Sequence, residues 1–247
     1  MLSLIDPVTL LLASLIIFTG ALTQSLIGFG LAVVATPLLY IVDPELVPAP
    51  VIAMGFSIAL LTLVRERGHL EFNGLQYALL GRLPGGLIGA TLLLLAPQPI
   101  LGLTIALIVA VAVFLSLRKY SIKINRLSLF IAGIFSGIFG TVAAIGGPPM
   151  ALLLAGKDAS QFRAALSAFF IFSSLIALII LGCFGLLTLR HLWLSLLLLP
   201  SVFLGFLVAG RLVGRVDKEK TRVLTLALCA LSALLLTIKS SQALING

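Results

Sequence analysis

The sequence predicts an all-α polytopic membrane protein with about eight spanning helices, short broken or re-entrant Gly/Pro segments and two inverted-topology repeats. Three observations carry this expectation. Apolar residues make up 61% of the 247-residue chain and charged residues only 10%, against roughly 45–50% and about 25% in ordinary soluble domains. That balance excludes a soluble enzyme or a disordered chain. The few charges fall between long apolar runs, and Gly/Pro clusters interrupt those runs in both halves of the chain.

The first apolar run, 8–28, follows Asp6 with neither a basic n-region nor a small-residue cleavage site. It is expected to be a retained membrane segment rather than a signal peptide. Nine more runs follow, at 30–42, 46–64, 73–95, 98–117, 127–140, 142–155, 162–182, 190–210 and 221–238. An α-helix needs about 20 residues to cross the hydrocarbon core, so six runs are plainly long enough and 221–238 is just adequate. The runs 30–42, 127–140 and 142–155 fall short, and each lies beside a Gly/Pro cluster. They are expected to be half-helices or re-entrant pieces, because irregular backbone in a membrane is tolerated only against protein or a water-filled cavity.

A pair of runs that crosses twice and a pair that turns back both return the chain to the same side, so orientation can be read without resolving them. With both termini outside, the loops 65–72, 118–126, 156–161 and 211–220 face the cytoplasm. With their flanking residues they hold thirteen of the sixteen Lys and Arg, leaving Arg82, Arg190 and Lys239. The loops near 43–45, 96–97 and 183–189 hold none. The net charge of +8 is therefore read as the positive-inside rule, and no nucleic-acid partner is expected.

The halves align in pieces. An offset of 112 lays Gly28 on Gly140 and Pro37 on Pro149, and an offset of 116 lays Pro84 on Pro200 and Gly89 on Gly205. Each half holds five runs, an odd number, so the second half enters from the opposite side. The expectation is one integral membrane domain built of repeats 1–120 and 121–247. In secondary transporters of this layout, interrupted helices at matching positions point to the substrate site.

The stretch Gly28 to Pro37, the run Ser136-Gly137-Ile-Phe-Gly140, the run Ile145-Gly146-Gly147-Pro148-Pro149 and the Pro84/Gly89 and Pro200/Gly205 pairs resemble the TauE/SafE family of sulfite exporters and anion permeases. The resemblance implies a bundle of about eight helices in two related halves. It also implies secondary transport or facilitation of a small anion, such as sulfite or an organosulfonate, across the cytoplasmic (inner) membrane. The partners implied are that anion and membrane lipid, with a homo-oligomer left open. An anion channel or a non-transporting scaffold subunit is the alternative.

The residues bear on the same question. All eight acids sit in loops or at segment ends, so the Asp/Glu relay of proton-coupled carriers has no candidate and cation transport is disfavoured. Arg82 is the one basic residue deep in a run. A charge near the bilayer centre costs at least about 2.5 kcal/mol, which pairing with an anion would offset. The competing expectation is a helix break near Pro84, with Arg82 snorkelling to the edge or bonding carbonyls.

The Gly/Pro breaks offer exposed N–H groups at half-helix starts. Gly28, Gly30, Gly146 and Gly147 would permit close approach, and Pro37, Pro148 and Pro149 suit first-turn positions; close helix packing is the bland alternative. Thr23, Gln24, Ser25, Thr36, Ser136 and Thr141 surround the breaks, with Gln24 over Ser136 in the repeat. The expected substrate-binding set is Gln24, Gly28, Gly30, Thr36, Pro37, Arg82, Ser136, Gly140, Thr141, Gly146, Gly147, Pro148 and Pro149.

No cofactor, metal or enzymatic activity is expected. His69 and His191 stand 122 residues apart without carboxylate company, and no Walker A, nucleotide fingerprint or GxSxG occurs. Cys183 and Cys229 are expected to pack inside apolar surroundings.

Overall fold

A computed structural model describes residues 6–70, 74–117, 124–212 and 218–245. Among these the chain is helical throughout, with no strand. The helices are α1 (Pro7–Ile27), α2 (Leu31–Val42), α3 (Ala49–Glu66), α4 (Leu75–Leu95), α5 (Gln98–Leu117), α6 (Arg126–Val142), α7 (Gly147–Leu154), α8 (Ala159–Cys183), α9 (Leu189–Leu212) and α10 (Lys218–Ile245). Seven are long and apolar enough to cross a membrane. The exceptions are α2, α6 and α7, the three runs that the sequence marks as short. At 1.5 Å per residue α2 extends about 18 Å and α7 about 12 Å, so neither crosses a core of about 30 Å alone. The protein is a polytopic helical membrane protein.

Local chemistry sets the ends. The Asp6 carboxylate accepts from the Thr9 N–H at 3.0 Å and caps α1, with Pro7 in the first turn. Asn125 and Ser128 form a reciprocal capping box at α6. Pro84 and Pro200 do not stop their helices, since α4 and α9 run through them. The break near Pro84 is thus not found.

Two groups of contacts identify the ends of the bundle. At one end Arg65 and Glu66 (end of α3) meet Ser25 (α1) and Arg163 (α8), and Arg65 lies over the Phe206 ring of α9. Arg126 at the start of α6 lies over Tyr77 near the start of α4. At the other end the Tyr40 hydroxyl donates to the Gln98 carbonyl at 2.8 Å, Lys239 to the Ile41 carbonyl at 2.8 Å, and Arg190 pairs with Glu45 at 2.6 Å. The helices alternate between these ends. Of the loop residues used for orientation, Arg118, Lys119, Lys123 and Arg215 lie outside the described residues.

Helix partners are set by small residues. Gly81, Gly85 and Gly89 recur every four positions along α4 and face α6, with Gly85 against Gly137, while Gly133 of α6 lies against Ala78. A Cβ on Gly85 would overlap the Ile134 carbonyl, and one on Gly81 the Phe130 carbonyl. The backbones therefore touch, as small residues allow in a membrane where lipid gives helices no hydrophobic reason to associate. Gly205 brings α9 onto α1 in the same way: a Cβ there would sit 2.7 Å from the Phe18 carbonyl oxygen. In addition α3 packs on α8, α5 on α10, α2 on α10 and α7 on α5.

Two expectations need correction. Pro37 is the seventh residue of α2, not a first-turn residue, because the chain breaks at Gly28–Gly30 and the helix has already formed. Cys229 is buried, but Cys183 is exposed: it is the last residue of α8, where the helix emerges from its neighbours.

Candidate functional site

The first break lies between α1 and α2. Gly28 (φ 106°) and Gly30 (φ 130°) occupy the left-handed region that residues with a Cβ rarely adopt. The Gly28 N–H closes α1 on the Gln24 carbonyl at 2.7 Å. The Gln24 side chain then accepts from the Leu31 N–H at 3.2 Å and satisfies the start of α2. The second break, 143–146, precedes α7. Ala144 holds φ 59°, a strained value for a non-glycine residue that persists only where its surroundings over-determine it. Here they do: Thr36 donates to the Ala143 carbonyl at 2.7 Å, the Ile145 N–H donates to the Phe139 carbonyl at 3.2 Å, and Ser136 donates to the Gly146 carbonyl at 2.7 Å.

Arg82 stands beside this second break. It is 3% exposed, its Nη1 donates to the Ser136 carbonyl and lies 3.4 Å from the Ser136 hydroxyl, and its Nε–H has no partner. Gly140 and Gly146 leave it room. A Cβ on Gly140 would overlap the guanidinium, and one on Gly146 would sit 3.0 Å from Nη1.

These groups meet at an open cavity whose empty space, adjoining solvent included, is about 490 Å3. Of the expected set, Gln24, Gly30, Arg82, Gly140, Gly146 and Gly147 line it. The starts of both half-helices and the buried guanidinium thus share one space. None of the described carboxylates lines it.

The rest of the expected set stands behind the wall. Gly28 lies against Phe162 and Arg163, Thr36 holds the Ala143 carbonyl, and Pro37 is buried within α2. Ser136 positions Arg82. Thr141 is buried with an unpartnered hydroxyl, facing Gly86 and Gly89 of α4. Pro148 and Pro149 occupy the buried first turn of α7, where the missing N–H groups cost nothing. Thr23 bonds back to the Thr19 carbonyl, and Ser25 receives Arg65 at 2.9 Å.

Sequence reasoning missed the α8 wall, where Phe170, Ser173 and Ser174 also line the cavity. The available signal was a pair of adjacent serines inside a 25-residue apolar helix. A charge cluster, buried at Glu66 and Arg163 and half-buried at Arg65, touches Ser25 and Gly28, the chain neighbours of the lining residues Gln24 and Phe29. Glu66 accepts from Arg163 at 2.8 Å and from Arg65 at 3.3 Å, and Arg65 also donates to the Ser25 carbonyl at 2.7 Å. Among the described residues no group of three or more His, Cys, Asp or Glu could hold a metal ion.

A family model described as sulfite exporter TauE/SafE matches residues 12–236, most of the 247-residue chain. No curated protein and no solved structure matches the chain. The glycine- and proline-marked breaks that frame the cavity lie inside the matched span, and the chain belongs to the TauE/SafE family of membrane transporters.

Proposed function

We propose that this protein is a secondary transporter or facilitator of a small sulfur-containing or organic anion, sulfite and organosulfonates included, across the cytoplasmic membrane. The anion binds in the cavity between the two half-helix starts. The observation that carries this reading is Arg82: a guanidinium 3% exposed, with an unpartnered Nε–H and no carboxylate beside it. Such a charge is costly to bury unless something neutralises it, and a bound anion does.

The two-repeat division at 1–120 and 121–247 belongs to the same reading. Replacing each helix by the one five further on exchanges α1·α9 with α6·α4, α2·α10 with α7·α5 and α3·α9 with α8·α4, and returns α3·α8 and α5·α10 to themselves. The helix starts Gly30 and Gly146 fit the offset of 116 that also relates Pro84 to Pro200, better than the offset of 112. The end carrying Arg65, Arg126 and Arg163 is assigned to the cytoplasm by the positive-inside rule, with both termini outside.

Uptake of labelled sulfite, sulfoacetate, thiosulfate and short carboxylates into proteoliposomes, with and without a pH gradient, tests the proposal. Movement of at least one, abolished in Arg82→Gln, supports it. A folded, reconstituted protein that moves none of them removes its basis.

A further inference from the structure

The charge count of the cavity goes further than the class "small anion". Resting on the transport reading above, we infer that the site takes a monovalent oxyanion, balanced by Arg82 alone and hydrogen-bonded by the hydroxyls of Ser173 and Ser174.

Arg82 is the only formal charge on the cavity wall among the described residues. The Arg65–Glu66–Arg163 cluster nearby carries one net positive charge, but none of its members lines the space, so it attracts an anion without being a contact partner in the site. A monoanion beside Arg82 leaves the site neutral. A dianion leaves one negative charge with no cationic partner on the wall, and an ion withdrawn from water without a partner is costly.

The half-helix starts do not make up that difference. The leading N–H of α2, on Leu31, is already taken by Gln24, which leaves those of Ala32 and Val33 on the cavity wall, and α7 has prolines at two of its first three positions, which carry no N–H. A helix N-terminus is equivalent to about half an elementary charge, short of a full one.

The serines supply the second half of the assignment. Several hydroxyls in other helices turn back on the carbonyl four residues earlier, Thr19 on Leu15, Ser57 on Ala53, Ser195 on His191 and Ser232 on Leu228, while Thr62 and Thr141 have no partner and do not line the cavity. Ser173, 3% exposed, and Ser174 make no such bond, and both line the cavity. A free hydroxyl on a binding wall can donate to a substrate oxygen. An oxyanion has several oxygens, so it can take the guanidinium and the hydroxyls together. Phe29, Val51 and Phe170 on the same wall suit the part of the anion that is not oxygen.

Methanesulfonate and sulfate form the decisive pair, because they differ by one methyl for one charged oxygen. Binding of each to the purified full-length protein is measured by titration calorimetry at constant ionic strength. Methanesulfonate is expected to bind at least about tenfold more tightly. Sulfate binding as tightly or more so overturns the charge assignment and leaves the transport reading standing, as does uptake of any panel anion without methanesulfonate binding. No anion bound or moved by folded protein overturns both.

In the Ser173→Ala/Ser174→Ala variant the methanesulfonate Kd is expected to rise about three- to tenfold, with the unfolding midpoint of the empty protein unchanged. An unchanged Kd removes the serines from the site. The two single substitutions repeat the measurement if the double variant does not fold.

Discussion

Arg82 on α4 and Ser136 on α6 are bound through both the main chain and the side chain of the serine. The guanidinium donates to the Ser136 carbonyl, lies 3.4 Å from its hydroxyl, and that hydroxyl donates to the Gly146 carbonyl. One chain of contacts thus joins the buried cation to the start of α7. Arg82→Gln removes both the charge and the fork of donors, so anion uptake in proteoliposomes is expected to fall at least about tenfold, with Arg82→Lys in between because it keeps the charge as a point. Uptake at the wild-type rate in Arg82→Gln would remove this residue from the site.

Thr36→Val separates structure from binding. Its hydroxyl holds the Ala143 carbonyl at 2.7 Å and does not line the cavity. The valine leaves that buried carbonyl unsatisfied, at a cost of about 1–3 kcal/mol. The unfolding midpoint should drop while the Kd for the transported anion stays within about twofold; a tenfold change in Kd would return Thr36 to the substrate-contacting set.

Gly85→Val tests the α4–α6 contact. The new Cβ would overlap the Ile134 carbonyl, main chain that cannot move aside cheaply, and overpacking of this kind costs about 1–3 kcal/mol or more. Gly182→Ala is the control, since nothing lies within 4 Å of its Cβ position. Thermal unfolding in detergent should rank Gly85→Val far below the wild type and Gly182→Ala level with it.

Glu66→Gln and Glu45→Gln contrast a buried and an exposed ion pair. Glu66 and Arg163 are each 9% exposed in their side chains, whereas Glu45 and Arg190 are 49% and 40% exposed. Removing one member of a buried pair costs about 3–5 kcal/mol, and an exposed pair contributes about 0–1 kcal/mol. Equal losses of stability in the two variants would mean that the cluster is not load-sharing between α3 and α8.

Nearly all of the helical layout was legible in the sequence, because ten apolar runs punctuated by charge, Gly and Pro leave little freedom inside a bilayer. The runs 30–42 and 142–155 were recognisable as too short, and their structures are α2 and α7. Pro37 misled, since a proline reads as a helix start only when no earlier break exists, and Gly28–Gly30 supplies one. The site was half legible. Six of the thirteen expected residues, the lone deep arginine among them, line the cavity, but position along the chain does not say which side of the backbone faces it. Thr36 and Ser136 therefore hold the wall together from behind, while Ser173 and Ser174 reach the space from α8, a helix with no break to advertise it.

The cluster at Glu66 has two guanidiniums and one carboxylate, so one positive charge is left over just outside the cavity. That surplus acts at a distance. On the anion-transport reading proposed above, it would raise the local concentration of anions at this end of the bundle before any contact is made, as a charged funnel does for a diffusing ligand. The pull fades over roughly 8–10 Å at physiological ionic strength. Capture at low substrate concentration should therefore slow as inert salt is added, while the rate at saturating substrate, set by events inside, should hardly respond.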